Sequence, residues 1–149
     1  MYCYKIFTKV KEIMKILVVD DSKGWRDFHK KSLYELFGED IEIVTAESGS
    51  DGYDKLLFHE KSPFDLIISD LQMESDFAPL SAGEWFVKQV QNFPAYKNSK
   101  IIVISAMYNI EMTAELLGVD YVSKRTLIAG ILPFKLKMEE MGFLPEVSE

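Results

Sequence analysis

The chain has 149 residues, 48% hydrophobic and 28% charged, which suits one globular domain with its own core and leaves no comfortable room for a second. A formal net charge of -7 opposes unaided binding to nucleic acid, because phosphate contacts need clustered Lys and Arg. The lone cysteine, Cys3, has no partner for an internal disulfide, and no apolar run approaches the roughly 18 residues of a membrane helix, so a cytoplasmic protein without membrane contact is expected.

Residues 1–13, MYCYKIFTKVKEI, lack the continuous apolar stretch of a signal peptide and read as an N-terminal extension, because MKILVVDD opens a compact domain at Met14. Tyr4, Phe7, Val10 and Ile13 fit one helical stripe, so a short packed helix and a disordered tail are the two alternatives for it. The domain proper is expected over 14–142, with a C-terminal tail at 143–149.

Short apolar runs rich in Ile and Val recur at 16–19, 41–44, 64–68, 101–104 and 119–122, as expected of strands buried on both faces. Helical segments lie between them. In 23–37, Trp25, Phe28, Leu33 and Leu36 share a face, with Ser22 as N-cap and Gly38 beyond the end. Segment 49–59 groups Gly52, Tyr53, Leu56 and Leu57 before Pro63, and segment 84–92 carries Trp85, Phe86 and Val90. In 109–117, Met112, Leu116 and Leu117 are expected to point inward before Gly118. Pro133 forbids one long helix after the last strand, so a turn through Arg125 to Gly130 should precede a helix from Leu132, with Phe134, Met138 and Met141 as its apolar members.

Five alternations of strand and helix argue for a doubly wound parallel sheet with helices on both faces and right-handed crossovers. In such folds ligands bind beyond the carboxyl ends of the strands. Five hydrophilic residues sit there: Asp20 and Asp21 after ILVV, Asp70 after LIIS, Ser105 after IIVI and Lys124 after YVS. Carboxylates brought together repel unless a cation compensates, which makes Asp20, Asp21 and Asp70 a hard-cation site, with the backbone carbonyl of Gln72 as a further ligand. Mg2+ suits it, because that ion takes few protein oxygens and keeps positions for water and phosphate. One carboxylate could then attack phosphorus while the metal and Lys124 neutralise the transferring group, and Ser105 could donate a hydrogen bond to it.

The motifs VVDDS, LIISDLQM, VISAM and AELLGVDYVSK, in that order, resemble the receiver domain of two-component response regulators, in the chemotaxis-regulator-like single-domain form. The resemblance implies a flavodoxin-like five-stranded sheet of order 2-1-3-4-5. It matches Asp20 and Asp21 to the family's acidic pair, Asp70 to its phosphoacceptor, Ser105 to its switch hydroxyl, Tyr121 to its rotating aromatic and Lys124 to its lysine. It implies Mg2+ as cofactor, a histidine kinase or phosphotransfer protein as donor, and a downstream protein target reached through the face of the fourth helix, fifth strand and fifth helix. Self-association as a homodimer stays open. Too few residues follow the fifth strand for an output domain, so a stand-alone switch is expected, with no enzymatic activity beyond its own phosphotransfer and dephosphorylation.

Two departures stand out. Glu74 replaces the family's Pro, and the matching Gly83 arrives late, so ESDFAPLSA enlarges the loop over 74–82. Arg125 replaces the Pro that often follows the lysine through a cis bond; a cis bond before a non-proline residue costs about 3 kcal/mol, so a trans peptide or a strained one is expected. Two other functions compete: a receiver-like interaction module that is not phosphorylated, and a haloacid-dehalogenase-like phosphohydrolase with an Asp nucleophile and Mg2+. The latter family needs a second Asp two positions after the nucleophile, which neither Asp20 nor Asp70 has. His29 is expected at the surface or a rim, and His59 at a helix C-terminus where a cation is favourable.

Overall fold

The computed structural model describes residues 13–73 and 81–143. The stripe expected from Tyr4 to Val10, most of the enlarged loop and most of the tail lie outside them. Strands β1 (Lys15–Val19), β2 (Glu42–Ala46), β3 (Leu66–Ser69), β4 (Lys100–Ser105) and β5 (Asp120–Ser123) alternate with helices α1 (Lys23–Phe37), α2 (Gly49–Phe58), α3 (Ala82–Asn92) and α4 (Ile110–Leu117). A single helical turn, α5 (Lys124–Leu127), and then α6 (Leu132–Glu140) follow β5. All neighbouring strands are parallel, in the order β2-β1-β3-β4-β5.

The period of two along β1 builds a layer on each side. Ile16 and Val18 face one core with Leu33 and Leu36 of α1 and Phe134 and Met138 of α6, while Leu17 and Val19 face another with Leu56 of α2 and Phe86 of α3. A smaller cluster of Leu71, Val87, Val103, Ile110 and Ala114 seats α4. Each fully buried aliphatic side chain contributes about 1.5–3 kcal/mol, so strands whose every residue is enclosed are held by both layers at once.

The helices begin and end where their residues dictate. Ser22 Oγ accepts the Trp25 N–H at 3.3 Å to cap α1, and Ser48 Oγ accepts the Asp51 N–H at 2.9 Å to cap α2. Gly118, with φ of 72°, closes α4 in the left-handed region. The stretch after β5 behaves as expected, except that its turn opens as the helical turn α5, capped by Ser123. Pro133 sits in the first turn of α6, and Phe134 and Met138 are buried.

Three expectations about facing are corrected. In α4 the inward stripe is Ile110, Ala114 and Leu117, spaced by four and three residues, which turns Met112 and Leu116 to the opposite side, 55% and 82% exposed. Leu57 likewise rotates away from Gly52 and Leu56 and is exposed. His29 is not at the surface: only 1% exposed, it lies in the α1 stripe Trp25, His29, Ser32 and Leu36, at the i, i+4, i+7 and i+11 positions of one helix face.

Candidate functional site

Register brings the acidic residues together. Val19 pairs with Ser69 across β1 and β3, so Asp20 and Asp70 leave neighbouring strands side by side, with the Asp70 N–H donating to Val19 O at 2.9 Å. Ser105 pairs with Ser123 across β4 and β5, which puts Lys124 one residue beyond the same edge. Asp20, Asp70, Ser105 and Lys124 are all buried, and Asp21 is partly so.

Lys124 Nζ donates to Asp70 Oδ2 at 2.6 Å and lies 2.7 Å from Asp20 Oδ2, the latter an ion-pair contact whose direction falls outside hydrogen-bond geometry. Asp70 Oδ1 accepts the N–H groups of Leu71 at 2.6 Å and Gln72 at 3.2 Å, which fixes the carboxylate plane. Asp20 Oδ1 accepts the Ser22 N–H at 2.9 Å, while the Arg26 guanidinium donates to the Asp20 carbonyl at 2.8 Å. Gly83 packs against this backbone: its N–H donates to Leu71 O at 3.1 Å, and a Cβ on it would stand 2.3 Å from Asp70 O.

One carboxylate oxygen from each of Asp20, Asp21 and Asp70 lies within 4.8 Å of the others. Burial raises Asp20 above the usual carboxylate range, with Asp70 adding to the rise and Lys124 and the Ser22 N–H opposing it. Asp20 Oδ2 is buried, and its close partner is the Lys124 ammonium at 2.7 Å, poorly aligned for a hydrogen bond. Three carboxylates gathered at one edge suit a hard divalent cation, because the single Lys124 ammonium, already shared between Asp20 Oδ2 and Asp70 Oδ2, offsets only part of their charge.

An open depression of about 430 Å³ lies over these groups, lined by Asp21, Ser22, Asp70, Gln72, Ser105 and Ala106. A larger one, about 580 Å³, surrounds Lys15, Phe64 and Asp65 toward the amino ends of the strands, away from the acidic cluster. Ser105 Oγ accepts the Met107 N–H at 3.3 Å, which leaves the hydroxyl proton available to a ligand in the depression. Tyr121 does not line it; it packs half-buried beside the α4 cluster, with Lys137 Nζ 5.8 Å from its ring centroid. Among the described residues no peptide is cis, so Lys124–Arg125 is trans.

Sequence reasoning missed Trp25 as a neighbour of Lys124, whose Nζ lies 4.8 Å from the indole centroid. The available signal was position: Trp25 opens the helix that follows the acidic pair, on the turn nearest the site. The His29 ring lies tilted beside it with centroids 5.8 Å apart, and burial pushes the His29 pKa down to about 4.

The arrangement defines a doubly wound α/β domain with an acidic cluster and a buried lysine at the carboxyl edge of its sheet. The family model of the response regulator receiver domain matches residues 16–130, and the chain belongs to that family. Among solved structures it is similar to the chemotaxis response regulator CheY4 of Vibrio cholerae, at 26% identity and a TM-score of 0.65 over 89% of this chain and 100% of that one. The phosphorylated cyanobacterial phytochrome response regulator RcpA shares the fold at 21% identity and a TM-score of 0.70, over 87% and 94% of the two chains. The Mn2+-bound response regulator Rcp1 shares it at 22% identity and a TM-score of 0.68, over 91% and 97%. No curated protein sequence matches significantly. Receiver domains are signalling switches, not classical enzymes, and no described helix is long and apolar enough to cross a membrane.

Proposed function

We propose that this receiver domain is a phosphorylatable switch of a two-component phosphorelay, taking a phosphoryl group onto Asp70. One observation carries the reading. Asp70 is a buried carboxylate gripped by two backbone N–H groups and the Lys124 ammonium, yet it lines an open depression that a donor can reach. The donor class is a phosphohistidine of a histidine kinase or phosphotransfer protein. An Asp70 oxygen forms a bond to phosphorus as the phosphorus–nitrogen bond breaks, and the imidazole departs with that electron pair.

Lys124 meets the phosphoryl oxygens as negative charge passes from the donor to the Asp70 side, and the backbone donors hold the attacking carboxylate in line, so transfer is mainly positioning plus electrostatics. Asp20, Asp21, Asp70 and the Gln72 carbonyl are the groups that would hold Mg2+, which supplies charge neutralisation when bound. The Mn2+ of Rcp1 is consistent with a divalent ion of that kind. Ser105 then donates to a phosphoryl oxygen, and Tyr121 on the next strand carries the change to the surface formed by α4, β5 and the helices after it, where a downstream protein binds. The test is chemical localisation: after incubation with Mg2+ and a small acyl phosphate, borohydride reduction should convert residue 70 alone to homoserine, detected by peptide mass spectrometry. A reduced residue elsewhere, or none, overturns the assignment.

A further inference from the structure

Lys124 has a third neighbour besides its two carboxylates. The indole of Trp25 lies against its ammonium, 4.8 Å from Nζ to the ring centroid. Two other ammonium groups sit over rings among the described residues, Lys15 on Phe64 at 5.4 Å and Lys137 on Tyr121 at 5.8 Å. The Trp25 contact is the shortest of the three and the one on an indole, the ring with the strongest attraction for a cation. Its cation is also desolvated, since Lys124 is only 6% exposed.

We propose that Trp25 is a positioning residue for phosphoryl transfer, its indole face holding the Lys124 ammonium over Asp70; this rests on the switch reading above. A lysine has a long, rotamer-rich stem, and something must aim it. The Lys124–Arg125 peptide is trans and runs straight into the helical turn α5, and Arg125 is exposed, so neither pins the ammonium. The carboxylates pull it in two directions, toward Asp20 Oδ2 and Asp70 Oδ2. Their pull weakens once a divalent cation shares their charge, whereas the attraction of a π face persists.

Trp25 is itself fixed. Its backbone N–H donates to Ser22 Oγ at 3.3 Å, which anchors its helix position, while Phe28 packs edge-on against the ring with centroids 5.3 Å apart and the buried His29 ring lies 5.8 Å away. One short stretch, from Asp20 to Trp25, therefore provides both the acidic pair and the face against which the lysine rests.

The experiment uses the full chain with Trp85→Phe, which removes the other tryptophan, an exposed residue packed on Tyr53. Intact mass follows the initial rate of phosphoryl gain with Mg2+ and acetyl phosphate. Trp25→Leu should slow it about tenfold and Trp25→Phe about threefold, the size expected of a desolvated cation–π contact. In a Lys124→Met background Trp25→Leu should have no further effect, because its role runs through the ammonium. In metal-free protein Lys124→Met should change the Trp25 emission, a readout independent of turnover. Rates within twofold for both Trp25 variants, an equal slowing by Trp25→Leu with and without Lys124, or an unchanged emission overturns the proposal. If Trp25→Leu does not fold, fluorotryptophan takes its place, keeping ring volume while withdrawing π density; an unaltered rate then overturns it. Where Lys124→Met transfers too slowly to measure, the emission change decides. A parent chain that gains no phosphoryl group overturns the switch reading and this one together, whereas a phosphorylated parent with additive variants overturns this one alone.

Discussion

Gly83→Ala tests how α3 and the Asp70 end of β3 are joined. A Cβ at this position would meet Asp70 O and Leu71 Cα at 2.3 Å and Leu71 O at 2.7 Å, where ordinary contact begins at 3.4 Å. All three atoms are backbone, so no side chain can yield and the helix must retreat by about 1 Å. The retreat sacrifices the Gly83 N–H bond to Leu71 O, now 3.1 Å. Overpacking of about 1–3 kcal/mol, taken at its upper end, plus about 1 kcal/mol for the bond and less about 1 kcal/mol of improved helix propensity, leaves roughly 3 kcal/mol of destabilisation. For a domain of this size that lowers Tm by about 6–12 °C. The same shift drags the Leu71 N–H off Asp70 Oδ1, where it now sits at 2.6 Å, so phosphorylation should slow on the order of a hundredfold. Thermal melts by circular dichroism and initial rates by intact mass measure both effects. An alanine variant melting within about 2 °C of the parent and phosphorylated at the parent rate would refute the close docking of α3 on Leu71.

Two further outcomes concern charge. Because burial raises Asp20 above 3.8, its contribution to stability is full below about pH 4 and is lost as pH rises through the higher folded value. Asp20→Asn should therefore raise the Tm of the metal-free protein at neutral pH, on the order of 1 kcal/mol or about 2–4 °C, and abolish stabilisation by Mg2+; a lower Tm with Mg2+ stabilisation intact would contradict this. His29 shows the opposite pattern, since its folded value of about 4 lies below 6.5: its contribution is full above about pH 6.5 and is lost as pH falls toward 4. Its ring resonances should stay those of neutral imidazole from pH 8 to about pH 5, and a midpoint near 6.5 would show an exposed ring instead.

The strands were legible because burial on both faces demands unbroken Ile and Val, and those runs predict all five to within a few residues. The acidic cluster was legible for a related reason: a hydrophilic residue that ends an apolar strand stands at the sheet edge, and parallel order puts every such edge together. What escaped depended on tertiary contact. His29 is polar and followed by two lysines, yet a packed helix face buries whatever lies on its stripe. Met112 and Leu116 are apolar and outward because α4 needs only a narrow stripe to cover its end of the sheet. Gly83 was recognisable as a family glycine arriving late, but its physical role, a backbone approach to Leu71, shows only once α3 is docked.

The most direct measurement is an intact-mass time course of the full chain with acetyl phosphate, with Mg2+ or with EDTA, beside Asp70→Asn. The expected result is the gain of one phosphoryl group by the parent with Mg2+, strongly slowed by EDTA and absent in Asp70→Asn. A parent chain that stays unmodified, or an Asp70→Asn chain modified at the parent rate, would contradict phosphorylation of Asp70.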